Sequence, residues 1–170
     1  MNKRGAAAYA FVMVLILVTP SAYGENVASD SMANKLNEVL LQAQSQKDWQ
    51  TSADDVFTMI KEKKTDFLIV DVRPNPQEYK TAHIVGSISI PHFEILKPEN
   101  LAKLPKGKKI ILVCATGQTC NLPIVALRAL GYDVYSMRFG YTAWIKDYRG
   151  AKLMQDAIQG AATKNYPVEK

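Results

Sequence analysis

"IILVCATGQTCNLPIVALRALGYDVYSM", Ile110–Met137, reads as strand, loop, helix, turn and strand within 28 residues. Ile110–Val113 is a continuous apolar run, the pattern of a strand covered on both faces. "LPIVALRAL" (Leu122–Leu130) has the composition of a helix and closes at Gly131, a residue suited to a left-handed C-cap. "DVYSM" (Asp133–Met137) is the next strand. Two strands joined through a helix in so short a span form a βαβ unit and must lie parallel.

Upstream, "FLIV" (Phe67–Val70) is a second doubly covered run, and "SISI" (Ser87–Ile90) is a brief strand stopped by Pro91. Ahead of them, Ser52 is placed as the N-cap of a helix with Asp55 three residues on, a shortened capping box. Val56, Phe57, Met59 and Ile60 give that helix its expected buried side. Strands alternating with helices predict a three-layer α/β/α domain on a mostly parallel sheet. The domain is expected over residues 49–150, followed by a C-terminal helix and tail at 151–170. Before it, residues 25–48 form a polar leader with one helical face, Met32, Leu36, Val39 and Leu40.

The 170 residues carry a formal net charge of +5 and 48% hydrophobic content, which excludes a disordered or fibrous chain. Residues 1–24 read as a cleavable export signal. Lys3 and Arg4 precede the apolar run Ala6–Val18, Pro20 breaks it, and Ala22 and Gly24 stand at the positions a signal peptidase inspects. Thirteen apolar residues fall short of the roughly 20 that span a bilayer. The expected destination is therefore the periplasm or the exterior, with no stable membrane span after cleavage. Without those residues 19 basic side chains face 16 acidic ones. The positives are scattered (Lys61–Lys64, Lys106–Lys109) with no aromatic interleaving, so nucleic acid is not an expected partner. Outside the cytoplasm a cysteine pair tends to oxidise, which gives the two cysteines of this chain added meaning.

Both cysteines, Cys114 and Cys120, lie in the loop of the βαβ unit. Ligands of open α/β sheets collect at the carboxyl ends of strands, and Cys114 is the first residue after its strand. Gly117 permits a sharp turn, and a curled loop running into a helix start aims N–H groups inward. Such surroundings can lower a thiol pKa from ~8.5 to between roughly 3.5 and 7.5. Cys114 is thus a candidate nucleophile. On residues alone it could equally be an apolar filler or half of a Cys114–Cys120 disulfide. A zinc site with His83 and His92 is disfavoured by five residues between the cysteines.

Two longer stretches carry a family resemblance. "DFLIVDVRPNPQEYKTAHIVGSISIP" (Asp66–Pro91) and "ILVCATGQTCNLPIVALRALGYDVYSMRFGYTAW" (Ile111–Trp144) resemble the two halves of a rhodanese-type sulfurtransferase domain. The resemblance implies a five-stranded sheet and no cofactor or metal. It implies that Cys114 attacks a small sulfur-containing anion, becomes a persulfide, and hands the sulfur to a thiol, cyanide or protein acceptor. The backbone N–H groups of Ala115, Thr116, Gly117, Gln118, Thr119 and Cys120 would cradle the charged sulfur. A loop of this length suits sulfur, whereas related phosphatases use a longer one. Asp71 is expected to fix neighbouring backbone. Arg73 is expected to bring positive charge near the pocket or else to form a salt bridge with Glu78. His83 and Trp144 match family positions and are expected to be structural.

Departures from the family pattern are local. Thr119 replaces the loop arginine, which removes a fork that could clamp an oxyanion such as thiosulfonate; the expected donors are thiosulfate, polysulfide or a persulfide. Cys120 stands where serine is common, Phe139 replaces a glycine before Gly140, and Ala82 replaces a glycine before His83. Two alternatives follow: a sulfur-binding or interaction module without turnover, and a thiol–disulfide redox protein using Cys114 and Cys120. The enzymatic expectation requires amide hydrogens converging on a Cys114 sulfur that solvent can reach. Cys120 is expected beside it as an exposed thiol that resolves a persulfide or forms a protective disulfide, the alternative being a helix-start residue with no chemical role.

Overall fold

The computed structural model of the chain describes residues 21–169. In chain order the elements are α1 (Ser21–Ala43), β1 (Gln50–Thr51), α2 (Ala53–Lys61), β2 (Phe67–Asp71), α3 (Pro76–Thr81) and β3 (Ile88–Ser89). They continue with α4 (Pro98–Leu101), β4 (Lys109–Val113), α5 (Ile124–Ala129), β5 (Asp133–Met137) and α6 (Arg149–Lys164). The five strands form one sheet in the order β1-β5-β4-β2-β3, and every pairing is parallel. The three-layer α/β/α expectation holds. The expected export signal at 1–24 falls, for its first 20 residues, outside the described residues. Among the described residues no helix is long and apolar enough to cross a membrane.

Because side chains alternate along a strand, the central strands supply two cores. Val70, Ile110, Leu112, Val134 and Cys114 face one side, where they meet Cys120, Ile124 and Leu127 from the loop and α5. Ile69, Ile111, Val113 and Met137 face the other, with Val56 of α2 and Tyr141. Strand β1 is only two residues long and polar. It exists because its backbone pairs with β5, Gln50 opposite Ser136 and Thr51 opposite Met137.

The capping box of α2 forms as expected: the Ser52 hydroxyl accepts from the Asp55 N–H at 3.0 Å, and the Asp55 carboxylate accepts from the Ser52 N–H at 3.3 Å. Its apolar side is narrower than expected. Val56 is fully buried and Met59 and Ile60 half-buried, but Phe57, one step round the helix, is exposed and meets Trp144 edge-on. The chain divides into two compact units, one ending at Ala33 and one beginning at Asn34; the sheet lies in the second. From Asn34 onward α1 buries Val39, with Leu36 and Ala43 half-buried, while Leu40 is exposed. The apolar face read over Met32, Leu36, Val39 and Leu40 is therefore corrected to a thinner stripe.

Candidate active site

The loop from Cys114 to Cys120 is held by its carbonyls. The Cys114 carbonyl accepts from the Tyr141 N–H at 2.9 Å. The Ala115 carbonyl accepts from both the Thr142 N–H (3.1 Å) and the Thr142 hydroxyl (2.9 Å). With these acceptors drawn toward the turn Gly140–Ala143, N–H groups of the loop are left to face the sulfur. The docking leaves no room at two glycines. A Cβ on Gly140 would lie 2.0 Å from the Cys114 carbonyl oxygen, and one on Gly117 (φ +83°) would lie 2.6 Å from the Phe139 nitrogen. A 3-10 turn, Thr119–Asn121, ends the loop, so α5 begins at Ile124 rather than at the expected Leu122.

The two sulfurs sit 2.9 Å apart, with the Cys120 thiol donating to Cys114. That hydrogen bond is the chief reason the Cys114 thiol is lowered to about 5. Burial opposes it, and the Thr119 hydroxyl and the backbone N–H groups of Cys120 and Thr116 reinforce it. Cys120 moves the opposite way: donating to Cys114 holds its proton in place, and burial pushes it up further. The two shifts favour the negative charge on Cys114 and the proton on Cys120. Of the six loop residues, Thr116 and Cys120 turn their amide hydrogens toward Cys114. Solvent access falls short of the expectation: Cys114 retains 1% exposure and Cys120 none. The accessible thiol expected at Cys120 is corrected to a core residue, because its side chain turns inward among Leu112, Ile124 and Leu127.

Asp71 and Arg73, at the end of β2, form a separate buried network. Asp71 accepts from the Arg73 backbone N–H at 3.0 Å and from the guanidinium at 2.6 Å, and takes a third bond from the Tyr141 hydroxyl at 3.0 Å. Arg73 also donates to the Ala82 carbonyl (2.8 Å), lies 3.7 Å from Glu78, and covers the Tyr141 ring at 3.9 Å. Burial works against the guanidinium charge, but the bonds to Asp71 and Tyr148 raise its pKa overall. Its donors are committed to holding the turn after β2.

Residues 52–147 match the rhodanese-like domain family. The chain belongs to that family. Thiosulfate sulfurtransferase GlpE of Pseudoalteromonas translucida is 37% identical over 90 residues, which cover 50% of this chain and 79% of that protein. The probable adenylyltransferase/sulfurtransferase MoeZ of Mycobacterium tuberculosis is 33% identical over 87 residues, or 51% of this chain; the chain spans only 22% of that relative's length. The crystal structure of a rhodanese-like domain protein from Staphylococcus aureus superimposes with a TM-score of 0.51 at 28% identity, covering 58% of this chain and 92% of that one.

Within this rhodanese-like domain the remaining motif residues serve the scaffold. His83 Nδ1 lies 2.8 Å from the Tyr79 carbonyl with its ring stacked on Tyr79, and Trp144 is half-buried against the Val56 and Met137 side of the core. Two residues at the site escaped the sequence reading. Tyr141 bridges Asp71 and the Ile84 N–H (3.1 Å), and Ser136, fully buried on β5, has a hydroxyl with no partner. Only the "FGY" turn hinted at the first, since it abuts the family's glycine-rich position. Nothing in "DVYSM" marks the second.

Proposed function

We propose that the domain is a sulfurtransferase that carries sulfane sulfur as a Cys114 persulfide. One observation supports this above all: a thiol, a hydroxyl and two backbone amides converge on the Cys114 sulfur and lower it to about 5. An anionic sulfur held by neutral donors is prepared both to attack and to stay charged as a persulfide. In the forward step Cys114 Sγ bonds to the outer sulfur of the donor. The donor's S–S bond breaks, and its electron pair leaves on sulfite, a shorter polysulfide or a thiolate. In the second step a thiol, cyanide or protein thiolate bonds to that outer sulfur and returns the pair to Cys114.

Donor choice follows from two features. Thr119 brings one hydroxyl where a guanidinium could have clamped three sulfonate oxygens, and the sulfur lies beneath half-buried loop residues, Ala115, Thr116, Gly117 and Thr119. Both favour slender polysulfides and persulfides over thiosulfate, and because Cys114 is only 1% exposed, uptake on this reading requires the loop to part. We further propose that residues 1–24 direct export to the periplasm or exterior. Protein recovered from that compartment would then have Glu25 as its first residue; recovery with Met1 still attached would refute it.

The reduced full chain is incubated with inorganic polysulfide or with thiosulfate, and its intact mass is followed. One sulfur atom should be gained from polysulfide, faster than from thiosulfate, and none by Cys114→Ser. No gain by wild type from either donor would overturn the proposal and leave a binding module.

A further inference from the structure

The mechanism above uses Cys120 only as a donor to Cys114, yet its sulfur is closer to Cys114 Sγ than that role requires. Sγ to Sγ is 2.9 Å, and a disulfide bond of about 2.05 Å would need less than about 1 Å of further approach. Both side chains lie on one face of the sheet, with Leu112, Val134 and α5 around them. Ser136 belongs to the same face by the alternation of β5, and its hydroxyl is buried without a partner. A buried hydroxyl left unsatisfied costs roughly 1–3 kcal/mol, so its position calls for an occasional partner. The Cys120 side chain packs on that same face. Donation to Cys114 and burial dominate the Cys120 environment, but Ser136 acts on it in the opposite sense, favouring the thiolate.

We infer that Cys120 is a resolving nucleophile: it attacks the inner sulfur of the Cys114 persulfide, releases the carried sulfur as hydrosulfide and leaves a Cys114–Cys120 disulfide, with Ser136 holding the Cys120 thiolate. This deepens the sulfurtransferase assignment and rests on it. Once Cys114 carries sulfur, the negative charge moves to the outer atom. The Cys120 proton passes to that atom, and the Ser136 hydroxyl donates to the thiolate left behind. Cys120 Sγ then bonds to Cys114 Sγ, the persulfide S–S bond breaks, and its electron pair departs on the outer sulfur as HS⁻. The carried sulfur is reduced to the sulfide level and the two cysteine sulfurs are oxidised to the disulfide level, with no outside oxidant. An external dithiol returns the pair to its starting state. The domain then has two outlets for one sulfur: transfer to an acceptor, or internal reduction when no acceptor arrives.

The reduced full chain is treated with one equivalent of inorganic polysulfide without added thiol, and hydrosulfide and intact mass are followed together. Wild type should gain one sulfur, then release about one equivalent of hydrosulfide per chain and finish two hydrogens lighter than it began. Cys120→Ser, whose hydroxyl can still donate to Cys114 but cannot form the disulfide, should accumulate the sulfur adduct; Cys120→Ala, which loses the chief donor to Cys114, should take sulfur up more slowly but hold the adduct as long. Ser136→Ala should slow hydrosulfide release roughly tenfold relative to sulfur uptake, the scale of one hydrogen bond to a charged group; Ser136→Thr, which keeps the hydroxyl, should restore it. A wild-type adduct as long-lived as that of Cys120→Ser overturns the resolving role while leaving the sulfurtransferase assignment standing. Failure of wild type and both Cys120 variants to gain sulfur overturns both. Equal release by Ser136→Ala and wild type removes Ser136 from the scheme.

Discussion

The ends of β2 and β4 lie side by side in the sheet, Asp71 opposite Val113, yet they handle charge in opposite ways. At β2 a full carboxylate and a full guanidinium neutralise each other under the surface, with 1% and 3% of their side chains exposed, and Tyr141 takes up a further oxygen lone pair. At β4 one thiolate is balanced only by neutral donors, a thiol, a hydroxyl and amides. Strand alternation puts the two on opposite faces, Asp71 with Ile69 and Cys114 with Ile110 and Leu112. Charge that is fully paired makes a rigid corner and has nothing left to offer a substrate. Charge held by dipoles alone is stable enough to exist and free enough to react.

The sharpest way to break this contrast is Asp71→Ala. Removing one partner of a buried pair strands the other, at a cost of about 3–5 kcal/mol. The urea midpoint of unfolding should fall accordingly with an unchanged slope. In the fraction that stays folded, the Cys114 thiolate should still titrate near 5, because Asp71 and Arg73 are not among the groups that set it. A loss below about 1 kcal/mol would mean the pair is not what holds the corner. A Cys114 midpoint that rises with the mutation would show that the two strand ends act as one.

Thr119→Val tests the other side with a smaller effect. The hydroxyl is one of several donors to the thiolate, behind Cys120, and its loss should move the Cys114 midpoint up from about 5 by roughly half to one pH unit, about 1 kcal/mol. Sulfur uptake depends on the thiolate, so the wild-type rate should rise as pH climbs through about 5 and then level off. The variant should be slower around its own higher midpoint and equal or slightly faster well above it, since a more basic thiolate is the better nucleophile. Following thiolate absorbance and uptake rate together checks both parts. A midpoint that does not move would remove Thr119 from the cradle.

These two regions also mark what the sequence could and could not reveal. Apolar runs identified β2 and β4 almost to the residue, because strands covered on both faces offer few polar positions to confuse the pattern, and β5 was legible as the next strand of the βαβ unit despite Asp133 and Ser136. Polar, two-residue β1 was illegible, since only pairing with β5 makes it a strand. The loop was legible from Gly117 and the cysteine motif, but the approach of Cys120 to Cys114 was not: five intervening residues can curl in many ways, and the curl is set by Tyr141 and Thr142, some 27 residues away. The same distance hid Tyr141 as a partner of Asp71, 70 residues earlier. Phe57 misled because periodicity cannot tell how wide a stripe the sheet will cover.

The smallest expected effect comes from the turn that joins both regions, where Phe139 (φ +61°) and Gly140 (φ +50°) are left-handed in succession. A side chain in that conformation costs roughly 1–2 kcal/mol, which Phe139→Gly would recover. Against this, glycine gives back roughly 0.5–1 kcal/mol of chain entropy on folding. The phenyl ring, 55% exposed beside Met154 and Ile158, also loses its partial burial, worth about 1 kcal/mol. The terms nearly cancel, so Phe139→Gly should shift stability by less than about 1 kcal/mol and leave the Cys114 midpoint in place. Gly140→Ala, one residue on, faces no such balance, because its Cβ would overlap the Cys114 carbonyl oxygen and push the loop off its anchor. Urea denaturation of the two variants separates strain from steric exclusion. If Phe139→Gly proved as damaging as Gly140→Ala, the ring rather than the carbonyl anchor would be what positions the reactive loop.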